Sequence, residues 1–581
     1  MDKGTQVAPE PSALSSEGAP RAGRGSTIWI RVGAWVVAVS VGAAQAWATR
    51  FTMNPDGISY LDIGDAYWRH DWHNAINAYW SPLYSWILGL FINVIKPTPY
   101  WEYPLAHLVN FLIYVAALGC FEFFLAAFIS QHQVQSKLLA DREIGIPSWA
   151  WWLTGYSVFA SSALLLITLA LVTPDMCVMA LVFLVSGLLL RTRKKNATRT
   201  TFVLLGVVLG VGYLAKAVMF PLAFLFLLTL IVQISGDAKQ RREVALALFA
   251  FALIAAPFVL VLSVQKGRFT FGDSGRITYE IFLNKVAVFT PTGSALAHPV
   301  RIIFTDPIAH EFRQPIDGTY PPWYDPSYWH EGLAPRFDFT SELRILAFGC
   351  ATNLFIIGSV FQQLNFTVGL FLLYFANPSP WACFKSALKG SPLLLIPAII
   401  AIGAYVCVYT EPRYVAPFVA VLWMIAFAGV HLHHSAGMTR LVSTVVIGIA
   451  ITTAASLFSR SVRDWRQPPP DYVQAAEAFR NNGVDPGAKI AVISDQPFDR
   501  GGAFVARLAG AKIIAQAIEP SRVFGKDRKR EDEVLKAFAN AGARFALTDS
   551  IMAGLEPCWH KVGTGPYSLC ALDALTLRTN D

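Results

Sequence analysis

Asp56, Asp175, Lys216 and Arg413 each stand where an apolar stretch begins or ends, two acids and two cations in a chain with few charges. Asp56, between Pro55 and Gly57, suits an N-cap; it suits equally a general base at a membrane edge, taking the proton of a hydroxyl. Asp175 follows Thr173 and Pro174, an ordinary helix start of cap, first helical residue and first-turn acid. An acid pinned against a bilayer is nevertheless costly unless it is paired or used. Lys216 in "GYLAKAVMF" and Arg413 in "YTEPRYVAPF" have a plain alternative, which is to snorkel to the interface. Two acids and two cations on one rim make a site that can hold a phosphate and activate a hydroxyl. Tyr60, Asp62, Asp65, Glu411 and Tyr414 are accessory candidates close by in sequence.

Whether these residues share a rim depends on the elements that carry them. Of 581 residues, 54% are hydrophobic and 15% charged, and the mean hydropathy is +0.44. Most of such a chain sits in lipid. The net charge of +8, from 47 Lys and Arg against 39 Asp and Glu, reads as cytoplasmic loops rather than a nucleic-acid surface. Residues 1–27, rich in Pro, Gly, Ala and Ser, read as a disordered cytoplasmic tail. An apolar run over 28–48, with no small-residue cleavage pattern after it, reads as a first span rather than a signal peptide. Further spans fall near 104–130, 149–172, 175–191, 200–215, 217–235, 244–264, 344–376, 391–409, 412–432 and 440–460, about eleven in all. Basic residues occupy alternate loops: Lys137 and Arg142, the run from Arg191 to Arg199, Lys239 to Arg242, Lys385 and Lys389, and Arg440. Those loops are therefore cytoplasmic. The same parity places the loop 49–103, the turns at Thr173, Lys216 and Glu411, the long loop 265–341 and everything after Ser461 outside.

The loop 49–103 is long for a connection, and loops of that size are usually functional. It reads "NPDGISYLDIGDAYWRHDWHNAINAYWSPLYSWILGLF", acids interleaved with aromatics that suit a membrane interface, so interfacial helices are expected. On such a helix Asp62 and Asp65 share a face, with Arg69 four residues beyond Asp65 as an ion-pair partner. The stretch 269–339 has no readable period; its "DGTYPPWYDPSYW" suits either a cover over an acceptor site or a plain interfacial loop. After Gln467 and three prolines, 467–581 alternates helix and strand as a small α/β module. Helices are expected over 471–480, 502–508 and 531–541, and strands over 489–494, 512–515 and 544–548. That module has no phosphate loop and no triad. Seven cysteines show no metal spacing. Cys558 and Cys570 flank a turn, and an outer compartment permits either a disulfide or two free thiols.

At these residues the chain resembles the GT-C superfamily of integral-membrane glycosyltransferases, in particular bacterial relatives of protein mannosyltransferases and of the lipid A aminoarabinose transferase. The resemblance rests on Asp56 in "NPDGISYLD" near the start of the first outer loop, "YWSPLYSWILGL" leading back to the membrane, and Asp175 in "TPDMCVMALVFL". It rests also on the Lys-bearing turn "GYLAK" and on "EPRYVAPFVAVLW", and covers most of 28–460. The paired acids of the protein mannosyltransferases are absent, since Gly57 follows Asp56.

The resemblance implies a mostly α, polytopic helical bundle in a bacterial inner membrane, to which the sequence pattern adds a small C-terminal α/β domain expected in the periplasm. It implies transfer of a sugar from a polyprenyl-phosphate donor to a periplasmic glycan, lipid or protein acceptor. Asp56 is then the base, Lys216 and Arg413 grip the lipid phosphate, and Asp175 orients the acceptor or helps bind a divalent cation such as Mg or Mn. Members of the group differ in metal need, so the metal stays open. The rival readings are a transporter or flippase of a lipid-linked saccharide, and a non-catalytic scaffold. Transporters tend to carry internal repeats and midplane ionisable groups, and neither pattern is visible here.

Overall fold

The computed structural model describes residues 22–138, 143–144, 146–193, 197–234, 238–313, 318–344, 347, 363–377, 379–433, 435–496, 502–525, 528–550 and 558–572. Helices dominate. Among the described residues, six are long and apolar enough to cross a bilayer: Thr27–Ala48, Pro99–His132, Ser148–Ile167, Asp175–Thr192, Ala238–Gln265 and Ala436–Asn481. Pro380–Gly390 and Pro392–Val406 meet at 90° and make a broken seventh. Arg199–Ala215, Met219–Gln233, Leu364–Phe375 and Pro412–Ala428 are apolar but only 10–17 residues long. At about 1.5 Å per residue these four fall short of a hydrocarbon core about 30 Å thick. All of the expected spans thus contain an apolar helix, although seven at most reach crossing length. Part of the expected 344–376 span, and residues 1–21 of the expected tail, lie outside the described residues; the first helix already opens at Ala22.

The short helices stop where the candidate site begins. Arg199–Ala215 ends on Lys216, whose backbone is extended (φ −158°, ψ 129°), before Met219–Gln233 starts. Asp175 opens one helix and Pro412 another. Polar groups on free helix ends converge more readily than groups locked inside a span, because their own turn does not bury them.

The loop 49–103 forms the helices Pro55–Trp68 and Pro82–Ile95. They lie in backbone contact: a Cβ on Gly64 would come within 2.7 Å of the Ser85 carbonyl, and one on Gly89 within 2.6 Å of the Gly64 carbonyl. The entry to the first helix is tied to the turn before Asp175. Asn54 Oδ1 accepts from the Val172 N–H (2.7 Å), Thr52 Oγ1 donates to the Ala170 carbonyl (3.0 Å), and His107 bridges the carbonyls of Leu169 and Thr52 (2.8 Å each). On the flank of the bundle, Arg31 and Trp35 both donate to Glu122, joining the first helix to Pro99–Leu138.

The C-terminal residues form the expected α/β pattern, with helices Asp471–Asn481, Gly502–Ala509 and Arg528–Asn540 around a sheet. That sheet has seven strands, in the order Arg301–Thr305, Ile308–Glu311, Lys512–Ala517, Lys489–Ile493, Phe545–Thr548, Ser568–Ala571, Trp559–Lys561. Its first two strands come from the long loop 265–341, pairing Ala309 antiparallel with Ala517. The module is therefore completed by the membrane half of the chain. The parallel centre reads as buried strands do, Lys489–Ile493 being buried at every residue but its first. Cys558 and Cys570 form a disulfide.

Candidate active site

Asp56 lies in the first turn of Pro55–Trp68, where Asn54 is the N-cap residue. The capping role that its sequence suggested is not the one it takes. Its Oδ1 accepts from Trp323 Nε1 (3.2 Å) and its Oδ2 from Arg413 Nη2 (3.1 Å). Arg413 reaches three acids: beside Asp56, its Nη1 lies 3.5 Å from Asp175 Oδ2 and its Nε 2.5 Å from Glu411 Oε2. Asp175 is buried, and its Oδ1 accepts from Lys216 Nζ at 2.6 Å. Lys216 Nζ also sits 3.7 Å from the centre of the Tyr414 ring, a cation–π contact. One buried carboxylate thus fixes an ammonium and a guanidinium side by side, and both keep donors to spare.

These groups line a cavity of about 940 Å³ that also takes in Tyr60, Glu411 and Tyr414. On one side the wall is aromatic and aliphatic, with Tyr405, Val408, Tyr409 and Phe282, where the Phe282 and Tyr409 rings stack at 3.9 Å; Ser81, Ser274, Arg276 and Thr278 add polar groups elsewhere. A chamber with an apolar side and convergent charged groups is what a small-molecule or lipid-headgroup site looks like. Burial first, and then the charge of Asp56, push the phenols of Tyr60 and Tyr79 well above their ordinary value, so both face the cavity as protonated donors.

The four principal candidates, Asp56, Asp175, Lys216 and Arg413, are brought together, and with them Tyr60, Glu411 and Tyr414. Asp62 and Asp65 are not. Both turn away to Arg507 of the C-terminal domain, whose Nη1 lies 2.7 Å from Asp62 Oδ1 and whose Nη2 lies 2.8 Å from Asp65 Oδ2. Their shared face was readable from spacing; this partner, more than four hundred residues on, was not. Trp323 was missed as a site residue, although the "PPWYDPSYW" run around it was visible. That run covers the Asp56 side of the cavity, Trp323 standing within 5.6 Å of the Tyr79 ring and 5.5 Å of the Trp80 ring.

A divalent cation does not fit the donor set. Among the described residues no three His, Cys, Asp or Glu side chains gather as metal ligands, and Asp56, Asp175 and Glu411 all face Arg413. Their charge is already met by that guanidinium.

No protein-family model and no curated protein matches the sequence. Among solved structures, ArnT from Cupriavidus metallidurans bound to undecaprenyl phosphate superposes with a TM-score of 0.52 at 12% identity, over 94% of this chain and 98% of that one. This chain has the GT-C fold. Apo ArnT from the same organism gives a TM-score of 0.49 at 13% identity, over 94% and 99% of the two chains. The Archaeoglobus fulgidus oligosaccharyltransferase in complex with Zn and sulfate gives 0.46 at 12%, over 90% and 68%. Within this fold the site stands where the loop 49–103 meets the ends of Asp175–Thr192, Arg199–Ala215 and Pro412–Ala428.

Proposed function

We propose that the protein is a membrane glycosyltransferase that moves a sugar from a polyprenyl-phosphate donor to a periplasmic acceptor. The observation that carries this reading is the meeting of Asp56 with Lys216 and Arg413 at an apolar-walled cavity, between the first outer loop and a set of membrane helix ends. ArnT, whose fold this chain shares, has been captured with undecaprenyl phosphate. A lipid-phosphate sugar has the matching form: a long apolar chain for the membrane wall, an anion for the two cations, and a sugar for the aromatic face.

In the reaction, an acceptor hydroxyl attacks the anomeric carbon while the bond from that carbon to the phosphate oxygen breaks. The proton passes to Asp56. Its carboxylate already accepts two hydrogen bonds, and an ionised carboxylate has lone pairs for more. The departing phosphate keeps the bond's electron pair and gains charge, which Lys216 and Arg413 stabilise without reorganising, because Asp175 already holds them. Asp175 is thus the organiser of the cation pair. In the same reading the membrane is a bacterial inner membrane, the N-terminus is cytoplasmic, and the C-terminal domain is periplasmic.

The test incubates purified protein with a panel of radiolabelled polyprenyl-phosphate sugars. Label should leave one of the lipids and reach an acceptor. Full retention on every lipid would contradict the assignment and favour a flippase, which would move the labelled lipid intact.

A further inference from the structure

The segment 318–324 runs between the C-terminal domain and the Pro55–Trp68 helix, and is bonded to both. At one end, Asp62 accepts from the Thr319 N–H (2.7 Å) and from Thr319 Oγ1 (2.9 Å), while the Thr319 carbonyl accepts from the Ile513 N–H (3.0 Å). At the other end, the Trp323 carbonyl accepts from Ser59 Oγ (2.8 Å) and Trp80 Nε1 (2.9 Å), and the Trp323 indole donates to Asp56. Gly318 lets the segment curl: its φ is +119°, and a Cβ there would come within 2.5 Å of the Tyr324 ring. The strap therefore lies along the helix from Asp62 to Asp56, about two turns of rise.

What fixes Asp62 is Arg507. The guanidinium is one-tenth exposed and pairs at once with Asp62, Asp65 and, through Nε at 2.7 Å, Glu102 Oε1. Its planar fork holds three carboxylates in one fixed arrangement, which a lysine ammonium on a flexible stem does not. Resting on the transferase reading, we infer that Arg507 is a positioning residue for the reaction: by clamping Asp62 it fixes the strap that aims Trp323 at Asp56, so the outer domain sets the pose of the base.

Removing Arg507 outright leaves three acids uncompensated and endangers the fold, so the informative variants are mild. Arg507→Lys keeps the charge, Thr319→Val removes the hydroxyl bond to Asp62, and Trp323→Phe keeps a ring but loses the N–H. Each is compared with wild type for abundance, melting temperature, kcat and donor KM. For Arg507→Lys, kcat should fall about tenfold with KM within about twofold, because misplacement acts on the chemical step rather than on donor binding. Thr319→Val should fall in the same direction. The double variant Arg507→Lys/Trp323→Phe should be no slower than Trp323→Phe alone, since both act on one contact. An unchanged kcat in folded Arg507→Lys, or effects that multiply in the double variant, would overturn the inference. Wild type that transfers no sugar from any donor would instead sink the transferase reading, which the same assay reports separately.

Discussion

The Pro55–Trp68 helix carries two acid clusters on different faces, and they are built to opposite ends. Around Asp56, three acids share two cations beside a cavity, so donors on Lys216 and Arg413 remain for a guest. Around Asp62 and Asp65, three acids are spent on the single guanidinium of Arg507, and the Thr319 backbone and hydroxyl take further lone pairs. The first arrangement keeps donors for a guest; the second, although a cavity of about 470 Å³ borders it, commits its acids to one guanidinium and holds the domains together. Residue type does not separate them. What separates them is whether the partners are saturated, since a cavity borders each cluster.

That contrast can be broken in order of expected effect. Asp56→Asn should cut transfer by about 10²–10⁴, the usual weight of a general base, with melting temperature near wild type; Asp62→Asn, folded, should not approach that loss, and initial rates on a labelled donor decide it. Arg507→Met should act on stability instead, costing about 3–5 kcal/mol by leaving buried acids without a partner, read as lost abundance and a lower melting temperature in detergent. Lys216→Met should lower kcat by about a hundredfold through weaker stabilisation of the leaving phosphate, as single-turnover rates would show. Gly57→Ala should cost about 1–3 kcal/mol by overpacking, measured by thermal unfolding.

Gly57 explains a departure that the sequence alone left bare. A Cβ there would fall 2.5 Å from Met53 Sδ and 2.9 Å from Val172 Cβ. The position that carries a second acid in protein mannosyltransferases is here a packing contact, which seats the turn before Asp175 against the first turn of the loop helix.

The principal site was legible because each of its members marks a boundary. Asp56, Asp175, Lys216 and Arg413 sit where apolar runs stop, and the alternation of basic loops assigns all four to one side. The helix face shared by Asp62 and Asp65 was legible for a similar reason, through local spacing. Trp323 and Arg507 were not, since each meets the loop helix across a separation of hundreds of residues that no local period encodes. The strands Arg301–Thr305 and Ile308–Glu311 escaped as well. They pair at the edge of a sheet whose core is far along the chain, and Arg301–Thr305 alternates too weakly, with exposed and half-exposed residues only, to declare itself. The short helices near the site were expected as spans; each expected segment does form an apolar helix, but of less than crossing length, and those at the site end at its charged residues.

The most direct test of the central claim is a structure of the protein with undecaprenyl phosphate bound. The account predicts phosphate density within hydrogen-bond distance of Lys216 and Arg413, with the isoprenoid chain leaving along the Tyr405 and Phe282 side of the cavity. Phosphate found away from both cations, with Asp56 facing no ligand, would contradict it.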